Sequence, residues 1–210
     1  MNDGAIIEIV EQFKSRDIAK RTAAVARAAG HGSPEAVALL VKALQDPSPS
    51  LRDRAVDAVC QAGPAALAPL LRLLTGGVWF ARASAARVLE RIGTAAALPR
   101  LLQQCSDGNR SVSQAAAQAV TAIVARCGED ESLRQLIPLP AASRRQCAAV
   151  LAHLRPELAQ QLSALPADAV AEDAAAYQAS QQQAGGRLQD LRKAVKAALK
   201  QDSRDDDEEP

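Results

Sequence analysis

The sequence predicts an all-α solenoid, a row of about five stacked helical hairpins with an N-terminal capping helix and a C-terminal helical appendage. Three observations carry that prediction. The segment LRDRAVDAVCQAG, residues 51–63, returns in altered form along the chain, and aligning Ile18, Leu51, Ala81, Val112 and Ser143 gives steps of 33, 30, 31 and 31 residues. A period of this length belongs to stacked hairpins, each of which needs its neighbours to cover its apolar face. Next, 48% of the residues are apolar but only 2% are aromatic. Alanine supplies much of the difference, and it favours helix and lets helix axes approach closely, whereas a sandwich or barrel would carry more β-branched and aromatic side chains. Finally, turn signals recur at the same period: DPSPS at 46–50, TGG at 75–77 and SDGN at 106–109.

The elements follow in order. IIEIVEQF, residues 6–13, reads as an unpaired helix that covers the first hairpin. The first helix of each hairpin then follows one template: apolar at the start, small four residues on, and apolar again at seven, eight and eleven. Leu51, Ala55, Ala58, Val59 and Ala62 fall on one face of a 3.6-residue helix, as do Ala81, Ala85, Val88, Leu89 and Ile92. Ile18, Thr22, Val25, Ala26 and Ala29 make the first copy, Val112, Ala116, Ala119, Val120 and Ile123 the fourth, and Ser143, Cys147, Val150, Leu151 and Leu154 a weaker fifth. Gly30, Gly63 and Gly93 share one slot, where a helix end is expected to need a positive φ. The second helices align on leucine: Val37, Leu40, Val41 and Leu44 with Leu67, Leu70, Leu71 and Leu74, and with Leu98, Leu101, Leu102 and Cys105. A fifth second helix is expected at 157–165, after Pro156.

These residues resemble the HEAT repeats, an armadillo-type helical family, and most closely the bacterial form found in phycocyanobilin-lyase-like repeat proteins. The shared signature is an apolar residue, Arg, two variable residues and Ala after a turn, present as Leu51, Arg52 and Ala55 and as Ala81, Arg82 and Ala85. It covers roughly residues 5–165. Ala19 and Ser113 stand where the arginine is expected, so the arginine ladder is incomplete. The resemblance implies a right-handed superhelix whose second helices line the concave side.

Candidate contact residues come from those second helices. Lys42, Gln45, Arg72, Arg100, Gln103 and Gln104 interrupt the leucine rows at positions pointing away from the core, and repetition would string them into a polar strip able to hold a peptide or helix. Arg52 and Arg82 are expected to pair with acids such as Asp46 or Asp53, or with loop carbonyls. Trp79 and Phe80 follow a Gly-Gly pair and read first as a plug between repeats, and second as an exposed anchor. His31 is a loop residue, and His153 closes the fifth first helix. Neither is followed by glutamate, and Cys60, Cys105, Cys127 and Cys147 lack close pairing, so reduced thiols and no metal are expected. No nucleophile, phosphate loop or acid–base pair assembles into a catalytic set, and no cofactor is expected.

The domain reading is a solenoid over 1–165, an Ala/Gln-rich helix and linker at 166–186, a basic amphipathic helix at 187–200, and an acidic disordered tail at 201–210. In the amphipathic helix, Leu188, Leu191, Val195 and Leu199 form a stripe beside bases that include Arg192 and Lys196, which offers a contact in cis, to a second copy, to a partner groove or to an anionic membrane. Residues 202–210 hold six acids and one arginine, and 1–186 sum to only +2. A nearly neutral body argues against nucleic acid. MNDGA lacks the bases of a secretory signal, and no apolar run suggests a membrane span, so a cytoplasmic chain is expected.

The function expected is a non-catalytic scaffold or adaptor binding another protein on the concave face. The resemblance adds a bilin lyase-like enzyme or accessory subunit as the alternative, and helical-repeat DNA binding as a further one.

Overall fold

A computed structural model of the protein describes residues 3–165. The described residues form eleven α-helices and no strand: α1 (Asp3–Phe13), α2 (Ile18–Ala29), α3 (Pro34–Ala43), α4 (Pro49–Ala62), α5 (Leu67–Gly76), α6 (Trp79–Ile92), α7 (Leu98–Gln104), α8 (Arg110–Cys127), α9 (Glu129–Leu136), α10 (Ala141–Leu154) and α11 (Pro156–Ser163). Short 3-10 turns at Gly63–Ala66 and Ala95–Ala97 lead into α5 and α7. The chain divides into two compact units, one ending at Gly128 and the other opening at Glu129. The sequence assignments at 166–186, 187–200 and 201–210, including Leu188, Leu191, Arg192, Val195, Lys196 and Leu199, lie outside the described residues.

The first unit has two layers. The first helices α2, α4, α6 and α8 pack in succession, the second helices α3, α5 and α7 form the other row, and α1 lies against α2 and α3. Leucines at i and i+4 fall on one face of a helix, so Leu40 and Leu44, then Leu70 and Leu74, are wholly buried, as are Leu98 and Leu101. Each such leucine contributes roughly 2 kcal/mol through lost water contact. The first-helix template holds in three copies: Leu51, Ala55 and Val59, then Ala81, Ala85, Val88 and Leu89, then Val112, Ala116, Ala119, Val120 and Ile123, are all at or near zero exposure. Ile6, Ile9 and Phe13 bury the inner face of α1 and leave Ile7 exposed, which gives the expected N-terminal cover.

The first copy is shifted from its expected register. Ile18 is 43% exposed and Ala26 is exposed, whereas Ala24, Val25 and Ala28 are buried. Lys20 therefore matches Leu51, the steps become 31, 30 and 31, and Arg21, not Ala19, occupies the arginine position. Ile18 misled because it is apolar. It is the first residue of its helix, a place also held by Pro49 and Trp79, where the side chain faces out.

The capping glycines also differ from expectation. Only Gly63 has a positive φ, 64°, while Gly30 is at −88° and Gly93 at −65°. In the first hairpin Gly32, two residues later, takes the left-handed turn at 65°. Gly93 is required by space instead: a Cβ there would lie 2.3 Å from the Leu89 carbonyl oxygen and 2.8 Å from Ile123 Cδ1. Pro49–Gly76 is long and apolar enough to cross a membrane by length and composition. It is nonetheless the second hairpin, two helices separated by the turn at Gly63 and Pro64.

In the second unit α10 and α11 form a hairpin, with α9 against α11. Cys147, Ala148 and Leu151 of α10 face Leu158, Ala159 and Leu162 of α11, all buried. The fifth copy thus keeps its template at Cys147 and Leu151. α9 was not foreseen from the repeat pattern. Its signal is Gly128 at φ 83° followed by Glu129, Asp130 and Glu131, acids that favour a helix N-terminus.

Candidate interaction face

A residue two positions past a buried leucine points to the opposite side of its helix, and the repeat places one such residue on each second helix of the first unit. These are Lys42, Arg72 and Gln103, spaced 30 and 31 residues apart and all exposed. Gln45, just past α3, is exposed, as are its equivalents Thr75 and Ser106. Arg100 is exposed in the first turn of α7. Gln104 departs from the expected strip. It is half-buried, and with its amide turned so that the nitrogen faces inward it donates to the Leu74 carbonyl and to Asp107 Oδ2, both at 3.2 Å. Its equivalents Ala43 and Leu73 are buried, so position 104 belongs to the inter-repeat seam.

The other cations of the first unit are largely committed to holding repeats together. Arg21 Nε donates to Asp46 Oδ2 at 2.9 Å and Nη2 to Oδ1 at 3.3 Å, while Nη1 donates to the Ser15 and Arg16 carbonyls. Arg82 repeats the arrangement with Asp107, at 2.9 and 3.1 Å, and donates to the Gly77 carbonyl at 2.7 Å. Both pairs span 25 residues. Each aspartate also accepts the backbone N–H two residues on, from Ser48 or Asn109, and so closes the loop that starts the next hairpin. For Arg52 the corresponding position is Gly77, which has no carboxylate. Its guanidinium donates to the Asp46 and Pro47 carbonyls at 2.8 and 2.9 Å, and its carbon lies 4.6 Å from the centroid of the Phe80 ring. The expectation that Arg52 and Arg82 are structural holds.

On the first-helix side, Arg27 reaches back to Glu8 of α1 at 3.0 Å, and Arg87 and Arg91 of α6 reach back to Asp53 and Asp57 of α4, both at 2.6 Å. The Arg27 hydrogen bond holds the Glu8 carboxyl below its ordinary value, and the bond to Asp57 raises the Arg91 guanidinium. Arg126 on α8 donates to the Gly93 carbonyl at 2.7 Å and to that of Glu90, fastening α8 to the end of α6. Sequence reasoning missed that tie. By contrast, no ion pair to Lys42, Arg72 or Arg100 occurs among the described residues.

Trp79 and Phe80 divide the roles considered for them. Phe80 sits half-buried against Arg52, whereas Trp79 is 47% exposed and meets Phe80 edge to face at 5.6 Å. The plug is therefore Phe80, and Trp79, with Val78 also exposed, stands outside it. His31 is half-buried in its loop and His153 is exposed. All four cysteines are free thiols, and burial raises those of Cys60 and Cys147. Among the described residues no three His, Cys, Asp or Glu side chains are grouped so as to hold a metal.

Residues 6–85 match the family model of HEAT repeats. HEAT repeats thus run from α1 into α6. The chain is 34% identical over 133 residues to phycocyanobilin lyase subunit beta of Thermosynechococcus vestitus (strain NIES-2133 / IAM M-273 / BP-1), an alignment covering 63% of this chain and 62% of that relative. The chain thus spans less than two thirds of the relative's length. A designed armadillo repeat protein in complex with peptide (KR)4 shares 20% identity with it over 91% of this chain and 98% of that one, with a TM-score of 0.38.

Proposed function

We propose that this protein is a non-catalytic scaffold or adaptor that holds a segment of another protein against the α3, α5 and α7 face of its first unit. The observation that carries the reading is the column of Lys42, Arg72 and Gln103, exposed at equivalent places on three successive second helices and flanked by Gln45 and Arg100. Helices pack about 10 Å apart. That spacing matches about three residues of an extended peptide at roughly 3.3 Å each, so one strand laid across the row meets a new polar side chain at every third residue. The helices beneath are fixed by buried leucines and by the arginine–aspartate rungs, so little ordering cost falls on this side of the interface. The experiment is affinity capture from native extract with the full chain, beside a variant carrying Arg72→Glu and Arg100→Glu and a version ending after Leu165. Loss of the same partner in the substituted chain at unchanged helicity supports the reading. Loss on truncation alone moves the contact to the 187–200 stretch, and retention in both removes the α3, α5 and α7 face from the account.

A second reading is favoured by the identity to the phycocyanobilin lyase subunit. On it, the chain handles a bilin, alone or as an accessory subunit. The only tryptophan is half-exposed, which leaves little aromatic surface for a tetrapyrrole. Titration with a bilin tests this reading directly: an absorbance shift supports it, and an unchanged spectrum rejects it.

A further inference from the structure

We infer that the segment held on the α3, α5 and α7 face is acidic and extended, its carboxylates meeting Lys42, Arg72 and Arg100; this rests on the scaffold reading above and names the partner's chemistry.

The charge on the two layers of the first unit is organised differently. On the first-helix side, Glu8 of α1 answers Arg27, and Asp53 and Asp57 of α4 answer Arg87 and Arg91 of the next hairpin, while Lys20, Arg54 and Arg110 make no ion pair among the described residues. In the loops, Asp46 and Asp107 answer Arg21 and Arg82. The second helices α3, α5 and α7 have three cations and a single acid, Glu35, which stands in the first turn of α3 while Lys42 stands in the last. Three and four residues to either side of Arg72 and Arg100, where a helix would place an answering carboxylate, the chain has only Ala, Pro, Thr, Gly and Gln. Residues 1–128 as a whole hold 15 Lys and Arg against 10 Asp and Glu, so the excess is not cancelled nearby. A row of exposed cations left without counter-charges by its own fold, with Gln45 and Gln103 beside it to bond a peptide backbone, is complementary to a chain of alternating carboxylates and amides.

A peptide fits better than a nucleic acid. Double-stranded DNA presents one charge per about 1.7 Å of its axis. This face offers three cations over three hairpins, with glutamines between them and no aromatic platform on the second helices.

The test is fluorescence anisotropy with the full chain and three labelled octapeptides: alternating Asp and Glu, alternating Lys and Arg, and alternating Ser and Gly. The acidic peptide is expected to bind, with affinity falling as salt rises from about 50 to about 150 mM, where the screening length shortens to roughly 8 Å. The triple variant Lys42→Glu, Arg72→Glu, Arg100→Glu should weaken it by about tenfold or more, a ratio worth about 1.4 kcal/mol. Arg54→Glu, an exposed charge reversal on α4, should leave it unchanged. Circular dichroism checks that the triple variant is folded, and the milder Lys42→Gln, Arg72→Gln, Arg100→Gln serves if it is not. Equal weakening by Arg54→Glu, or equal competition by duplex DNA, overturns the inference. Binding of the neutral or basic peptide that the triple variant abolishes also overturns the acidic preference, yet leaves the scaffold reading in place. If no octapeptide binds and the captured partner is retained by the charge-reversed chain, both fall.

Discussion

Replacing Asp107 with alanine should cost the first unit about 3 kcal/mol. The carboxylate accepts two bonds from Arg82, at 2.9 and 3.1 Å, and a third from the Asn109 backbone N–H at 2.8 Å. The side chains of Arg82 and Asp107 are 23% and 13% exposed. Hydrogen bonds to charged groups contribute roughly 1.5–3 kcal/mol net. Stripping one partner from a buried pair costs about 3–5 kcal/mol, because the other charge stays desolvated. Partial exposure of Arg82 lets water reach it and places the expected cost at the lower end. Asp46→Ala should cost at least as much, since Arg21 and Asp46 are only 16% and 7% exposed. A double-mutant cycle in urea isolates the pair term, expected at about 1–2 kcal/mol for Arg82 with Asp107 and for Arg21 with Asp46. The cycle of Arg52 with Asp46 is the control: Arg52 bonds the Asp46 carbonyl, which alanine keeps, so its coupling should stay within about 0.5 kcal/mol of zero. A negligible coupling between Arg21 and Asp46 would refute the shifted register of the first hairpin, and a negligible one in both pairs would refute the rungs as a source of stability.

Gly93→Ala should destabilise by about 2 kcal/mol in denaturant unfolding, because the new Cβ lands 2.3 Å from the Leu89 carbonyl oxygen, while Gly30→Ala, with open space and an ordinary φ, should be neutral or stabilise by about 0.5 kcal/mol. The Glu8 carboxyl, followed by NMR, should titrate below its ordinary 4.5, and Arg27→Ala should return it there. A lowered folded-state value means that the α1–α2 contact is at full strength above the unfolded value near 4.5 and weakens as the pH falls through the lowered one. The lone tryptophan, Trp79, should emit as a half-exposed indole open to iodide quenching, and Trp79→Ala should leave unfolding nearly unchanged, whereas Phe80→Ala should destabilise by removing the ring under Arg52.

Most of the fold was legible in the sequence because the repeat constrains burial at equivalent positions. In the first turn of three first helices Leu51, Ala81 and Val112 are wholly buried, and of the leucine rows Leu40, Leu44, Leu70, Leu74, Leu98 and Leu101 face one core as read, while Leu67, Leu71 and Cys105 are only half-buried. The first hairpin was misread because alignment followed an apolar residue, Ile18, whereas the rung is defined by charge: Arg21 and Asp46 stand as far apart as Arg82 and Asp107. Glycine identity was also ambiguous. Gly63 serves a left-handed turn and Gly93 a close approach to Ile123, two demands that composition cannot tell apart. Of the proposed strip, exposure was legible where it follows helical phase, as at Lys42, Arg72 and Gln103. Gln104 was not, because its role depends on Leu74 and Asp107, which sequence spacing does not place beside it. The neutral total over 1–186 concealed the excess of bases in residues 1–128, since charges cancel by location and not by sum.

Photo-crosslinking from single positions tests the central claim most directly. A benzophenone amino acid placed at 42, 72 or 103 should join covalently to one and the same partner in native extract, whereas the same group at 53, 57 or 87 on the first helices should join to none. Adducts from the first-helix positions, or from neither set, would contradict a partner seated on α3, α5 and α7.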